Sequence, residues 1–215
     1  EFDYHHQLQI PHPEKNPQDI FFEISALLGY PRCCSQFLQN VHDRPAFKTQ
    51  VACLGNHYSD ETLYPMLALQ QNKNVDWKLN NFSEHIPRLI SFFVCSYQCE
   101  HALIVAKQVH DYWSKQNADF INFENQMKQP LLFFSQSKTI FFRSVSKNDH
   151  MTLYEDPDPR GASMNKDLAA FIEAAKKGNG IHVDEKKIGI FKDGLQIHSY
   201  DKKHPFDGIL IYISP

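Results

Sequence analysis

The spacing of apolar residues changes once along this chain, at Pro130, and that change limits the folds open to it. Before Pro130 the apolar residues recur at helical intervals. Asn16 can cap a helix, Pro17 suits its first position, Asp19 sits in its first turn, and Ile20, Phe21, Ile24, Leu27 and Leu28 form a stripe that Gly29 ends. Pro31 opens a second helix through Phe37, Leu38 and Val41, and Ser59 starts a third that fades near Asn72. Ser96 is the expected cap of a long helix through Ala102, Ala106 and Trp113.

After Pro130 the apolar residues come in short runs. Leu131 to Phe134 and Thr139 to Val145, separated by Ser-Gln-Ser-Lys, predict a hairpin. A helix from about Asn165 to Lys177 is closed by Gly178. Ile188 to Phe191 and Leu195 to Tyr200 flank Lys192-Asp193-Gly194, a strong hairpin signal, and Ile209 to Ile213 is a last strand. The expected class is therefore α+β: a helical N-terminal region followed by a small ββαβββ-like mixed β region. The expected divisions are an extended arm over 1–15, a helical cysteine-bearing region over 16–129, and a β-rich region over 130–215 that can share one core with it. No repeat at a 20 to 50 residue period is present, which disfavours solenoids and propellers.

Composition removes several function classes. With 42% hydrophobic residues and 17 Phe the chain is globular rather than disordered. A net charge of -3 and the lack of a basic stretch interleaved with aromatics give no nucleic-acid footprint. The longest apolar runs fall far short of the roughly 20 residues that cross a bilayer, so no membrane is expected. The chain opens Glu1-Phe2-Asp3 without a basic-then-apolar leader, and an odd cysteine count reads as a reducing, cytoplasmic setting. The sequence has no GxGxxG, GxSxG or HExxH.

All five cysteines, Cys33, Cys34, Cys53, Cys95 and Cys99, lie in the first half, and four of them sit at expected helix starts. Free backbone N–H groups and the positive end of the helix dipole favour thiolate there, and with it metal ligation or nucleophilic reactivity. Two pairs converging would make a four-thiolate site for zinc or an iron-sulfur cluster. Two features weigh against one small ion. C-x3-C is not the common zinc spacing, and neighbouring helix residues point about 100° apart, which favours the larger cluster over zinc. If only one of Cys33 and Cys34 ligates, His85, His101 or His42 supplies the missing donor, or the position stays open for substrate and the protein is an enzyme.

The segments GYPRCCSQF at 29–37 and CSYQCEHALIVA at 95–106 resemble a bacterial and archaeal family of unknown function with a GYPxCCxxxF element and a later C-x3-C helix start. The resemblance spans residues 16–115. It implies that Cys33, Cys34, Cys95 and Cys99 act together, and it implies no reaction.

The leading expectation is thus an intracellular metal-binding protein with a cysteine-ligated iron-sulfur cluster or zinc, acting on a small molecule or a protein that the sequence does not identify. The first alternative is a metal-free thiol-disulfide protein, pairing Cys95 with Cys99 or one of Cys33 and Cys34 with a cysteine of the other pair. The second is an interaction module whose hairpins present a binding face over merely buried cysteines. Lesser candidates read as structure: His5, His6 and His12 as a polar arm, Glu100 as complement to a helix dipole, and Glu155, Asp156 and Asp158 as a solvated loop without Ca-loop spacing.

Overall fold

Pro17, fixed at a helical φ, opens α1 (Pro17–Leu27), and Gly29 at φ 77° lets the chain turn out of it, with the Tyr30 amide donating back to the Ser25 carbonyl. Pro31 then leads into α2 (Arg32–Asp43), its carbonyl accepting from the amides of Cys34 and Ser35. The computed structural model describes residues 17–43, 65, 67–69, 74–135, 138–147, 151–160, 166–203 and 207–214. The arm expected over 1–15 and Cys53 lie outside them. So does most of the helix expected from Ser59, of which Pro65 and 67–69 are described and helical. After α2 come β1 (Val75–Asp76), a 3-10 turn at Trp77–Leu79, α3 (Glu100–Gln116) and α4 (Phe120–Met127).

The second half is built from β2 (Leu131–Ser135), β3 (Lys138–Phe141), β4 (Ser144–Lys147), β5 (Thr152–Glu155), α5 (Ala169–Lys177), β6 (Gly180–Val183), β7 (Lys187–Lys192), β8 (Leu195–Asp201), β9 (Ile209–Ile211) and β10 (Ile213–Ser214). The protein is α+β, with its helices leading and its strands following. The strands form three sheets: β3-β2-β9 and β4-β5-β6-β7-β8, both antiparallel, and a short parallel pair of β1 with β10. The Asp193-Gly194 turn carries both residues at positive φ (51° and 85°), the geometry its sequence dictates. The run expected from Thr139 to Val145 is broken, because β3 ends at Phe141 and β4 joins the other sheet. The expected last strand is likewise divided between β9 and β10. Part of the stretch expected as an acidic loop from Tyr154 is β5.

The sheet β3-β2-β9 lies between two apolar clusters, which is why β2 is a continuous run of buried residues rather than an alternating one. Leu131, Phe133, Phe141 and Ile211 face a cluster built by the first half, while Leu132, Phe134, Ile140 and Phe142 face one built with α5 and the five-stranded sheet. The two regions therefore share one sheet.

Two elements depart from the expected reading. Among the side chains described, the stripe of α1 is turned outward: Phe21, Ile24, Leu27 and Leu28 are exposed, Leu27 at 87%, and Ser25 is buried. From Asn80 to Gln98 the chain forms neither helix nor strand, yet Phe82, Ile86, Phe92 and Tyr97 are core residues. Buried irregular backbone needs partners, and side chains supply them. Asn80 Nδ2 donates to the Met127 carbonyl at 2.6 Å, Asn81 Nδ2 to the Phe92 carbonyl at 3.2 Å, and the Tyr97 hydroxyl to Asn81 Oδ1 at 2.7 Å. Thr139 Oγ1 on β3 donates to Ser83 Oγ, tying the stretch to the shared sheet. No helix among the described residues is long and apolar enough to cross a membrane.

Candidate metal centre

The irregular stretch delivers Cys95 and Cys99 to the opening of α2. Tyr97, between them, is fully buried and stacks on Phe82 at 4.4 Å, and its carbonyl accepts from the Asp76 amide. The turn around Tyr97 is held by Ser96, whose hydroxyl accepts from the Gln98 amide and whose carbonyl accepts from the Cys99 amide. Ser96 is therefore not the cap of α3, as its sequence position suggests. Cys99 occupies that place, with extended backbone (φ −66°, ψ 110°), and its carbonyl accepts from the Leu103 amide. Cys95 precedes the helix.

Cys33, Cys34, Cys95 and Cys99 converge, with all four sulfurs within 4.8 Å of one another. Cys33 Sγ stands 3.5 Å from Cys99 Sγ and 4.0 Å from Cys34 Sγ, and Cys34 Sγ stands 3.8 Å from Cys99 Sγ and 3.9 Å from Cys95 Sγ. The objection that neighbouring helix residues diverge does not hold here. Cα–Cβ bonds tilt toward the helix N-terminus, so two residues of the first turn can both reach a point beyond the helix end. Cys33 and Cys34 thus stand in the first turn of α2 and Cys99 at the cap of α3, where the positive dipole ends favour thiolate.

The thiols share protons unevenly. A hydrogen bond from Cys34 lowers the Cys95 thiol to about 5, against an upward push from burial. Cys34, giving its proton to Cys95 and buried besides, is held far above the ordinary thiol range. Burial, together with the neighbouring cysteines, raises Cys33 to about 11. Four thiolates this close repel one another, and a cation among them would allow all four to ionise. Cys34 and Cys99 are buried, while Cys33 and Cys95 form the half-exposed side.

Of the expected histidines whose side chains are described, His101 reaches the cluster, its Nδ1 3.8 Å from Cys33 Sγ. His85 pairs with Glu84 instead, Nε2 to Oε1 at 3.6 Å, and the side chain of His42 lies outside the described residues. Comparison with protein-family models, curated proteins and solved structures finds no match for this chain. The centre rests on its own geometry.

Elsewhere the acidic loop is neutralised from within. Arg143 pairs with Glu155 and Asp156, and Arg160 pairs with Asp158 while lying over the Phe141 ring. These carboxylates are matched by arginines. The residues that position Cys95 and Cys99, namely Asn80, Asn81, Ser83 and Tyr97, give no periodic signal in the sequence. Polar residues crowded into an otherwise apolar stretch were the available sign.

Proposed function

We propose that this chain is a metal-binding protein in which Cys33, Cys34, Cys95 and Cys99 hold a single tetrahedral ion of the zinc type in a closed, structural centre. The observation that carries this reading is the spacing of the sulfurs. A zinc–sulfur bond of about 2.3 Å sets the edge of a regular sulfur tetrahedron at about 3.8 Å. Four of the sulfur separations, 3.5 to 4.0 Å, straddle that value, and all six lie within 4.8 Å. In a four-iron, four-sulfide cluster each thiolate binds its own iron, and in a two-iron, two-sulfide cluster the two pairs bind different irons across bridging sulfides, so thiolates on different irons stand further apart than around one shared ion. The geometry thus favours a mononuclear centre over the iron-sulfur cluster that the vicinal cysteines suggest in the sequence. Four thiolates fill a tetrahedral shell and leave no position for substrate, which favours a structural role over a catalytic one. In that role the ion fastens the start of α2 to the start of α3.

Metal and acid-labile sulfide analysis of tag-free protein purified without oxygen tests the reading. The expected result is about one zinc or one iron per chain, no sulfide, and loss of the metal in both Cys34→Ser and Cys99→Ser. Stoichiometric sulfide would replace the single ion by a cluster. Metal-free protein with freely titrating thiols would overturn the centre.

A further inference from the structure

We infer that Cys33 is a peroxide-reactive thiolate and that Cys99 resolves it, so that oxidation closes a Cys33–Cys99 disulfide and expels the metal. The inference rests on the four-thiolate reading and concerns its regulation. Three observations single out this pair. Cys33 belongs to the half-exposed side of the centre, so a small oxidant can reach its sulfur, whereas Cys34 and Cys99 are buried. Cys33 Sγ and Cys99 Sγ stand 3.5 Å apart, so modest side-chain movement reaches a bond of about 2.05 Å. The vicinal pair is both longer, at 4.0 Å, and joined through a single peptide. On the open side His101 Nδ1 stands 3.8 Å from Cys33 Sγ, a hydrogen-bonding group beside the approach to that sulfur.

The chemistry balances with hydrogen peroxide as the oxidant. The Cys33 thiolate attacks one peroxide oxygen, the O–O bond breaks, and the departing hydroxide takes a proton from solvent to become water, leaving Cys33 as the sulfenic acid. The Cys99 thiolate then attacks the Cys33 sulfur, the S–O bond breaks, and a second hydroxide leaves and is protonated. Two thiolates lose two electrons in all, and one peroxide becomes two waters. Cys34 and Cys95 remain as the only thiolates, and half a tetrahedral shell does not retain the ion.

The test uses the full-length protein in a Cys53→Ser background, which removes the fifth thiol. Metal is measured before peroxide is added, and its release is then followed with a chromophoric chelator while the disulfide is mapped by non-reducing peptide mass spectrometry. The expected result is about one metal ion released per peroxide consumed, a Cys33–Cys99 disulfide, and recovery of metal binding after thiol reductant and fresh zinc. Protein that arrives without metal overturns the metal reading, and this inference with it, at the first measurement. Loaded protein that keeps its metal under peroxide, or loses it with the disulfide at Cys34–Cys95 or with Cys33 driven to sulfinic acid, overturns this inference alone. Because the mapping reads the native cysteines of the centre, it does not depend on a ligand variant folding.

Discussion

Strands β6, β7 and β8 pair along ladders joined by short turns, whereas the stretch from Asn80 to Cys99 carries Phe82, Ile86 and Tyr97 into the core with no ladder at all. The first arrangement satisfies its backbone locally and repeatedly. The second depends on a handful of individual side-chain hydrogen bonds and on where the cysteines are held. Order in the β-rich region is thus spread over many similar contacts, while order in the cysteine-bearing region is concentrated at a few points. Concentrated order is easier to remove by one change, and the two regions should respond very differently to the same insult.

On the proposed four-thiolate reading, removing the metal should give the largest effect. Structural zinc sites in small peptides are worth about 10–16 kcal/mol at neutral pH, comparable with the whole stability of a typical domain. Chelation, or Cys99→Ser, is expected to abolish amide-exchange protection in α2 and the first turns of α3 while β6 to β8 keep theirs, as read by hydrogen-exchange mass spectrometry. Equal loss of protection in both regions would show that the shared sheet β3-β2-β9 couples them into one cooperative unit and would break the contrast.

A change confined to the β-rich region should do the converse. A Cβ on Gly178 would lie 2.6 Å from Ile190 Cγ2, 2.7 Å from the Tyr154 hydroxyl and 2.8 Å from the Phe191 carbonyl oxygen, so α5 must shift from the sheet to admit it. Overpacking of this kind costs about 1–3 kcal/mol. Gly178→Ala should lower the unfolding midpoint of the β-rich region and leave metal stoichiometry intact. Metal loss in this variant would mean that strain crosses the shared sheet.

How much of this was legible in the sequence follows the same division. The hairpin at Asp193-Gly194 is written in local turn chemistry, and the starts at Pro17 and Pro31 in local φ restriction, so all three lie where their residues put them. The four cysteines were legible as a set because two helix openings are local features too. Their spacing around a single ion was not, since it depends on α2 meeting a stretch that has no period. The outward face of α1 shows the limit from the other side: periodicity identifies an apolar stripe but not which way tertiary packing turns it. Ser96 likewise has the chemistry of a cap, but the buried Tyr97 holds the chain in a turn there and moves the helix start to Cys99.

The loop's own hydrogen bonds offer a smaller probe of concentrated order. Tyr97→Phe removes the hydroxyl that donates to buried Asn81 while keeping the ring stacked on Phe82. A buried bond of this type is worth about 1–2 kcal/mol. The expected outcome is a lower midpoint and faster metal dissociation to a chelator, because the same turn carries Cys95 and Cys99. A drop in stability with an unchanged dissociation rate would separate the loop's packing from its support of the centre.

The smallest effect should come from acid. Glu124 on α4 accepts a hydrogen bond from Lys128 and faces His110 Nε2 of α3 at 3.5 Å, and these partners, Lys128 foremost, hold its carboxyl below the usual range. A depressed folded-state pKa contributes stability that is fully present above the unfolded carboxylate value, near 4.3, and is lost as pH falls through the folded value. The pair is near the surface, so the contribution is under about 1 kcal/mol. Glu124→Gln should therefore lower stability slightly at pH 6 and above and converge with the unchanged protein under acid, as measured by denaturant unfolding across pH on both. A constant offset at every pH would assign the loss to packing around His110, whose ring lies edge-on to Trp77 and Phe120, rather than to the charge. That outcome would place the joint between α3 and α4 with the evenly packed parts of the molecule.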